Sequence, residues 1–329
     1  MAVYTPVDRQ TIEHLLTRYD IGTLVGFQGI ESGVENTNYF LNVHSPTTEQ
    51  QKTYVLTLFE YLPMPALDFY ISVMETLSKQ ALPVPKVIWD QQGTALHSIH
   101  DKPALIVTAL PGNHTPDIST THCEQVGFLL AKMHRTSRHH PLKQKSIRGL
   151  PWIKAQQERL SQLISKNDES LMKKGWQLIH KELPPVDKLP CGIIHGDLFF
   201  DNVLFQGNTI TGVIDFYNAG YDWLAYDVAI TVNDWCINPD LTIHPEKYEA
   251  LISAYNKVRP FTAKEKQYWV TLLQLAAFRF WLSRLVTFFF PESNSCGNTT
   301  HPPMVKSKDP DEFKKMFVLR YQEKIPEMR

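Results

Sequence analysis

The sequence predicts a two-part α+β fold, strand-rich before residue 110 and mostly helical after it. Three observations predict it. Short runs with strand-like alternation crowd the region ahead of Leu110-Pro111-Gly112, and helix-period patterns dominate beyond it. A single apolar ribbon carrying Asp and Asn residues then interrupts the helical part at 193–216. The break at Pro111-Gly112 divides the chain into 1–109 and 110–329, and 329 residues suit about two domains.

Residues 6–19 read as a short amphipathic helix, with Ile12, Leu15 and Leu16 inward and Gly22 beyond its end. Strands are expected at 24–29, 37–43 and 53–59. The first two are joined by a loop, 29–36, that contains Gly33 and Asn36. Leu67, Ile71, Met74 and Leu77 space a helix over 66–80, and further strands follow at 86–89, 94–99 and 104–109. In the second part the spacing predicts helices over 124–138, 152–166, 170–181, 223–235, 245–256, 263–289 and 309–324.

Charge is balanced, 33 Lys and Arg against 34 Asp and Glu, so the total gives no reason to expect a nucleic-acid partner. The four cysteines stand far apart without a Cys-x-x-Cys pair, which favours reduced thiols over disulfides or zinc. Residues 1–8 lack the pattern of a secretory signal. The run 272–290 is apolar enough to suggest a membrane span, but it contains Arg279 and Arg284. Each would cost about 2.5–3.5 kcal/mol near a bilayer centre, so a buried helix of a cytoplasmic protein is expected. Oligomeric state is not legible.

The chemistry concentrates in His195-Gly196-Asp197-Leu198-Phe199-Phe200-Asp201-Asn202, entered from Ile193-Ile194. Residues 203–205 and 210–214 read as a hairpin turning at Gly207-Asn208 and ending at Asp215. Turning there, Gln206 faces Thr209 and Asn202 faces Val213, which leaves Asp215 within reach of Asn202. A lone His-x-Asp is a common accident, but the whole constellation is harder to dismiss. An amide oxygen and a carboxylate suit Mg²⁺ when phosphates fill its other positions, and a separate carboxylate can orient a hydroxyl for in-line attack. This is the catalytic-loop and metal-Asp pattern of a two-lobed protein-kinase-like fold, hinged near 108–112. The glycine-bearing loop with Gly33 and Asn36 would cover ATP phosphates, and backbone near Val107 to Leu110 would read adenine.

With these residues assembled, the chain resembles the aminoglycoside phosphotransferase-like kinases, whose motif is His-Gly-Asp-Leu-x-x-x-Asn. Gly33-Val34-Glu35-Asn36-Thr37-Asn38-Tyr39-Phe40, Tyr54-Val55-Leu56-Thr57-Leu58-Phe59-Glu60, Val232-Asn233-Asp234-Trp235-Cys236 and 279–285 extend the likeness to the branch acting on L-homoserine. The resemblance implies Asp197 as the catalytic base or hydroxyl orienter, Asn202 and Asp215 as Mg²⁺ ligands, and ATP as phosphoryl donor. It departs from the general kinase pattern at Thr57, where strand three should carry a Lys. The Lys–Glu pair, with Glu75 its other candidate member, is thereby placed in doubt, and a nucleotide-binding pseudokinase is an alternative.

A zwitterionic acceptor needs a cation for its carboxylate and an anion for its ammonium. Arg279 and Asp234 are the candidates, and an internal salt bridge is the alternative for Arg279. Arg284 is expected to be structural. Choline would instead call for an aromatic cage, to which Tyr217, Trp223 and Trp235 could contribute, and aminoglycosides for an acidic cleft.

Overall fold

The computed structural model describes residues 3–31, 36–45, 49–185, 188–290 and 308–328. It divides into two compact units: Met1–Ser78 with Pro85–Leu110 and Phe290–Lys306, and Lys79–Val84 with Pro111–Phe289 and Ser307–Arg329. The segment Lys79–Val84 joins the second unit because the Val213 N–H donates to Pro83 O at 2.7 Å.

In the first unit β1 (Thr23–Gly29), β2 (Thr37–His44), β3 (Gln51–Leu58), β4 (Leu96–Ile99) and β5 (Lys102–Thr108) form an antiparallel sheet in the order β1-β2-β3-β5-β4. Alternation sends Tyr39, Leu41, Val43, Tyr54, Leu56, Leu58 and Ile106 to one face. There they bury Ile12, Leu15 and Leu16 of α1 (Arg9–Leu16). Asn38, Val55 and Thr57 belong to the other face. Residues 86–89 do not form a strand, contrary to the sequence expectation. They run beside β5 with one isolated bridge, Val87 to Val107, because Pro85 lacks a donor and Asp90 closes a turn by accepting the Gln92 and Thr94 N–H groups. The helix α2 (Met64–Ser78) completes the unit.

The second unit holds α3 (Thr120–Thr136), α4 (Leu150–Leu160), α5 (Lys166–Glu182), α6 (Leu224–Trp235), α7 (Pro245–Val258), α8 (Ala263–Gln267), α9 (Trp269–Phe289) and α10 (Pro310–Gln322). The expected helix over 263–289 is thus two, parted at Tyr268. Two short ribbons carry the site: β6 (Cys191–Ile194) with β9 (Gly220–Trp223), and β7 (Val203–Gln206) with β8 (Thr209–Val213). By length and composition α9 could cross a membrane, but here α6 and α10 pack on it. Arg284 pairs with Glu312 and lies over Phe313, the structural role expected of it. Arg320 of α10 donates to Asn233 Oδ1 at 2.8 Å, tying α10 to α6.

Helices α3 and α7 meet backbone to backbone at Gly127, where an added Cβ would stand 2.2 Å from Leu251 O. Gly127→Ala should therefore destabilise the protein by about 1–3 kcal/mol despite alanine's better helix propensity, since overpacking of this kind forces the helices apart. Denaturant titration measures it, and an unchanged midpoint would mean that the helices separate freely.

Candidate active site

The catalytic loop follows β6 and is held at nearly every peptide. The Asp227 carboxylate, buried in α6, accepts the His195 N–H at 2.7 Å and the Gly196 N–H at 2.8 Å, one on each oxygen. Arg279 Nη1 donates to Gly196 O at 3.0 Å, and the Trp235 indole N–H to Leu198 O at 2.9 Å. Asp234 Oδ2 accepts the Phe200 N–H at 2.7 Å. Gly196 has φ 75°, and a Cβ there would meet Asn218 O at 2.7 Å, so the turn ahead of Asp197 requires glycine on both counts.

His195 is a brace. Its Nε2–H donates to Ile214 O at 3.0 Å and its Nδ1 accepts the Asp197 N–H at 3.3 Å, a pattern only the neutral ring can make. Burial pushes its pKa down, in agreement with that form. A second histidine backs Asp227. His134 Nε2–H donates to Asp227 Oδ2 at 3.1 Å, and its Nδ1 accepts from Tyr255 Oη at 2.8 Å. Tyr255 Oη accepts from Arg259 Nη1, whose Nη2 pairs with buried Glu265 at 2.8 Å. Burial alone would raise the Asp227 pKa. The hydrogen bonds from His134 and from the His195 N–H outweigh burial and hold it below the usual carboxylate range.

Asp197 is half-buried, and its Oδ2 accepts from Asn218 Nδ2 at 3.3 Å. Asn202 donates Nδ2–H to Asp197 O at 2.8 Å, which commits the amide nitrogen inward and turns Oδ1 to the other side. The hairpin register differs from the expected one. Gln206 does face Thr209, but Val203, not Asn202, faces Val213. Thr211 is an extra, bulged residue whose hydroxyl donates to Pro111 O and Leu204 O. Asn202 O therefore receives the Ile214 N–H at 3.0 Å. A one-residue slip would send Asp215 to the wrong face, but Asp215 is left-handed, at φ 61° and ψ 61°, which breaks the strand's alternation beside Asn202.

The two oxygen donors, Asn202 Oδ1 and the Asp215 carboxylate, fit a hard cation that completes its shell with phosphates and water.

The residues expected at the acceptor also hold the loop. Arg279 is 3% exposed, bonded to the loop and stacked 4.0 Å over Phe280, while Asp234 holds Phe200. Trp223 and Trp235 are buried and form no open aromatic cage. In the first unit Gly33 lies outside the described residues, and Asn36 Oδ1 accepts the Glu60 N–H at 3.4 Å. Val107 is buried in β5 and Leu110 is half-buried. The Thr108 and Ala109 N–H groups go to Lys86 O and Thr53 O. Thr57 Oγ1 donates to Asn38 Oδ1 at 2.7 Å, and Glu75 accepts from the Trp89 indole.

Sequence reasoning missed the bracing roles of Asp227, His134 and Asn218. For Asp227 a signal existed: a charged residue inside an otherwise apolar helical run needs buried partners.

A family model described as the phosphotransferase enzyme family matches residues 26–261. The chain belongs to the phosphotransferase enzyme family. Within this family it is 38% identical to the homoserine kinase of Janthinobacterium sp. (strain Marseille), covering 99% of this chain and 98% of that one. It is 40% identical to the homoserine kinase of Pseudomonas aeruginosa, covering 87% and 89%. Among solved structures, the amicoumacin kinase hAmiN, in complex with AMP-PNP, Ca²⁺ and Ami, aligns with a TM-score of 0.69 at 14% identity, over 96% of this chain and 93% of that one. At that identity the likeness to this phosphotransferase concerns the fold.

The Asp234 pKa is pushed up to about 7 by burial, reinforced by Asp201 and Asp197 and opposed by the Phe200 N–H and by Lys308. Between the unfolded value, 3.8, and about 7 the folded protein holds a proton that the unfolded chain has lost. Ionised Asp234 is thus a penalty on folding that grows as pH rises and is complete above about 7. Asp234→Asn keeps an acceptor for Phe200 and removes that penalty. Its gain in Tm over wild type, measured without nucleotide, should widen from pH 5 to pH 8. A constant difference would mean that Asp234 is ionised throughout.

Proposed function

We propose that this chain is an ATP- and Mg²⁺-dependent kinase that phosphorylates the side-chain hydroxyl of L-homoserine, giving O-phospho-L-homoserine and ADP. What supports the chemistry is the Asp197 carboxylate bonded to Asn218, with the Asp197 carbonyl bonded to Asn202, which leads into the β7–β8 hairpin that Asp215 follows. The near full-length similarity to homoserine kinases carries the acceptor.

Asp197 accepts a hydrogen bond from the acceptor hydroxyl, aligns its oxygen on the γ-phosphorus and takes its proton as the new O–P bond forms. The bond from the γ-phosphorus to the bridging oxygen breaks, and ADP leaves. Asn202 and Asp215 would hold Mg²⁺, which supplies neutralisation of the phosphate charge. Gly33 and Asn36 are assigned to the phosphates, and Val107 and Leu110 to adenine. Since the Thr108 and Ala109 N–H groups are already engaged, adenine is read by the remaining backbone groups between Val107 and Leu110. In this reading Arg279 and Asp234 serve the acceptor through the loop they hold. The setting is the cytoplasm.

Asp197→Asn should lower kcat by about 10²–10⁴ while Mg-ATP binding persists, the usual effect of removing a positioned acid–base group. Near-wild-type turnover in that variant would refute the assignment. Asp215→Ala should raise the Mg²⁺ concentration needed for half-maximal turnover, and an unchanged requirement would remove it from the ligand set. For the acceptor, ADP release is compared across homoserine, serine, threonine, choline and kanamycin. Efficient turnover of choline or kanamycin without homoserine would overturn the substrate and leave the kinase.

A further inference from the structure

Asp201 stands in the catalytic loop between Phe200, whose N–H goes to Asp234, and Asn202. Its carboxylate meets Lys308 Nζ, which donates to Oδ2 at 2.8 Å. Both side chains are open to solvent, 41% exposed at Asp201 and 53% at Lys308. The start of α10 brings the lysine there. Arg284 Nη1 donates to Asp309 O at 3.1 Å, and Phe313, in the first turns of the helix, stacks on Phe199 of the loop with ring centroids 6.0 Å apart. Asp201 and Asp197 both push the Asp234 pKa up and Lys308 draws it down, so the pair and the catalytic carboxylate lie around the same acid.

An exposed ion pair of this kind adds little to stability, because water screens it and holding two side chains in one geometry costs entropy. Its place in the loop gives it another use. An α-amino acid carries its ammonium and carboxylate about as far apart as Lys308 Nζ and Asp201 Oδ2. Laid antiparallel on the pair, such a head group puts ammonium against carboxylate at both ends, with charge-assisted hydrogen bonds and no net charge added. Two methylenes lead from the α-carbon of homoserine to its hydroxyl, and Asp197 lies four residues before Asp201 in the same loop.

We infer that Asp201 and Lys308 are the zwitterion-binding pair of the acceptor site, Asp201 taking the α-ammonium and Lys308 the α-carboxylate. The inference rests on the homoserine reading above and adds the residues that select an amino acid over a plain alcohol. Asp234 and Arg284 set the two ends of the pair, one holding the Phe200 N–H beside Asp201 and the other the Asp309 carbonyl beside Lys308.

The test compares three acceptors: homoserine, homoserine carboxamide, which lacks the carboxylate, and 4-hydroxybutanoate, which lacks the ammonium. Wild type should prefer homoserine to both. Asp201→Asn should lower kcat/KM by about 10- to 100-fold for homoserine and the carboxamide, mainly through KM, the range for a hydrogen bond to a charged group. Its effect on 4-hydroxybutanoate should stay below about threefold. Lys308→Gln should show the crossed pattern, with homoserine and 4-hydroxybutanoate losing and the carboxamide spared. The Mg²⁺ requirement and the KM for ATP should hold in both variants. The exchanged pair, Asp201→Lys with Lys308→Asp, remakes the ion pair with its ends reversed and should not restore homoserine turnover. Equal losses on all three acceptors, or rescue by the exchanged pair, would mean that the pair only holds the loop, and the inference fails. It fails too if neither single variant changes the preference for homoserine. A wild type that phosphorylates none of the three compounds overturns the homoserine reading itself.

Discussion

Everything at this site depends on one buried carboxylate that never meets a substrate. Asp227 takes the consecutive N–H groups of His195 and Gly196 on its two oxygens and receives His134 from behind. Burying a carboxylate is unfavourable unless its lone pairs are filled, and here three donors fill them. The result is a catalytic loop fixed to α6 at its first two peptides. Arg279 and Trp235 fix the Gly196 and Leu198 carbonyls, and Asp234 the Phe200 N–H.

This bracing has an electrostatic reason. Asp197 and Asp201 lie on one short loop, Asp215 follows the hairpin and Asp234 of α6 bonds to the loop, while Asp201 has Lys308 at 2.8 Å. Such a set repels itself wherever its members are ionised together. A flexible loop would relax by turning its carboxylates to water, whereas hydrogen bonds at successive peptides keep them converged. The buried run from Glu265 through Arg259, Tyr255 and His134 anchors Asp227 in the same way, so the order of the loop reaches α8.

Much of this was legible in the sequence. The motif around Asp197, the hairpin turn and the strand-then-helix order follow from local periodicity and turn chemistry. What was not legible came from contacts distant in sequence. The Thr211 bulge arises from a bond to Pro111, a hundred residues away, and no local rule predicts it. Asp215 recovers its place through a left-handed backbone that an Asp tolerates but does not announce. Arg279 was expected at the acceptor because an arginine in an apolar helix needs a reason. In the structure it also donates to the Gly196 carbonyl, which composition cannot reveal. The pairing of Arg148 with Asn218 links a loop and a turn seventy residues apart, equally beyond pattern reading.

Amide hydrogen exchange at His195 and Gly196, measured together with turnover in Asp227→Asn, tests this account most directly. The substitution leaves one acceptor oxygen and puts an amide donor where the second N–H must bind. The account predicts that the two amides lose protection and that kcat falls with them, while Mg-ATP still binds. Amides as protected as in wild type, with full turnover, would contradict it.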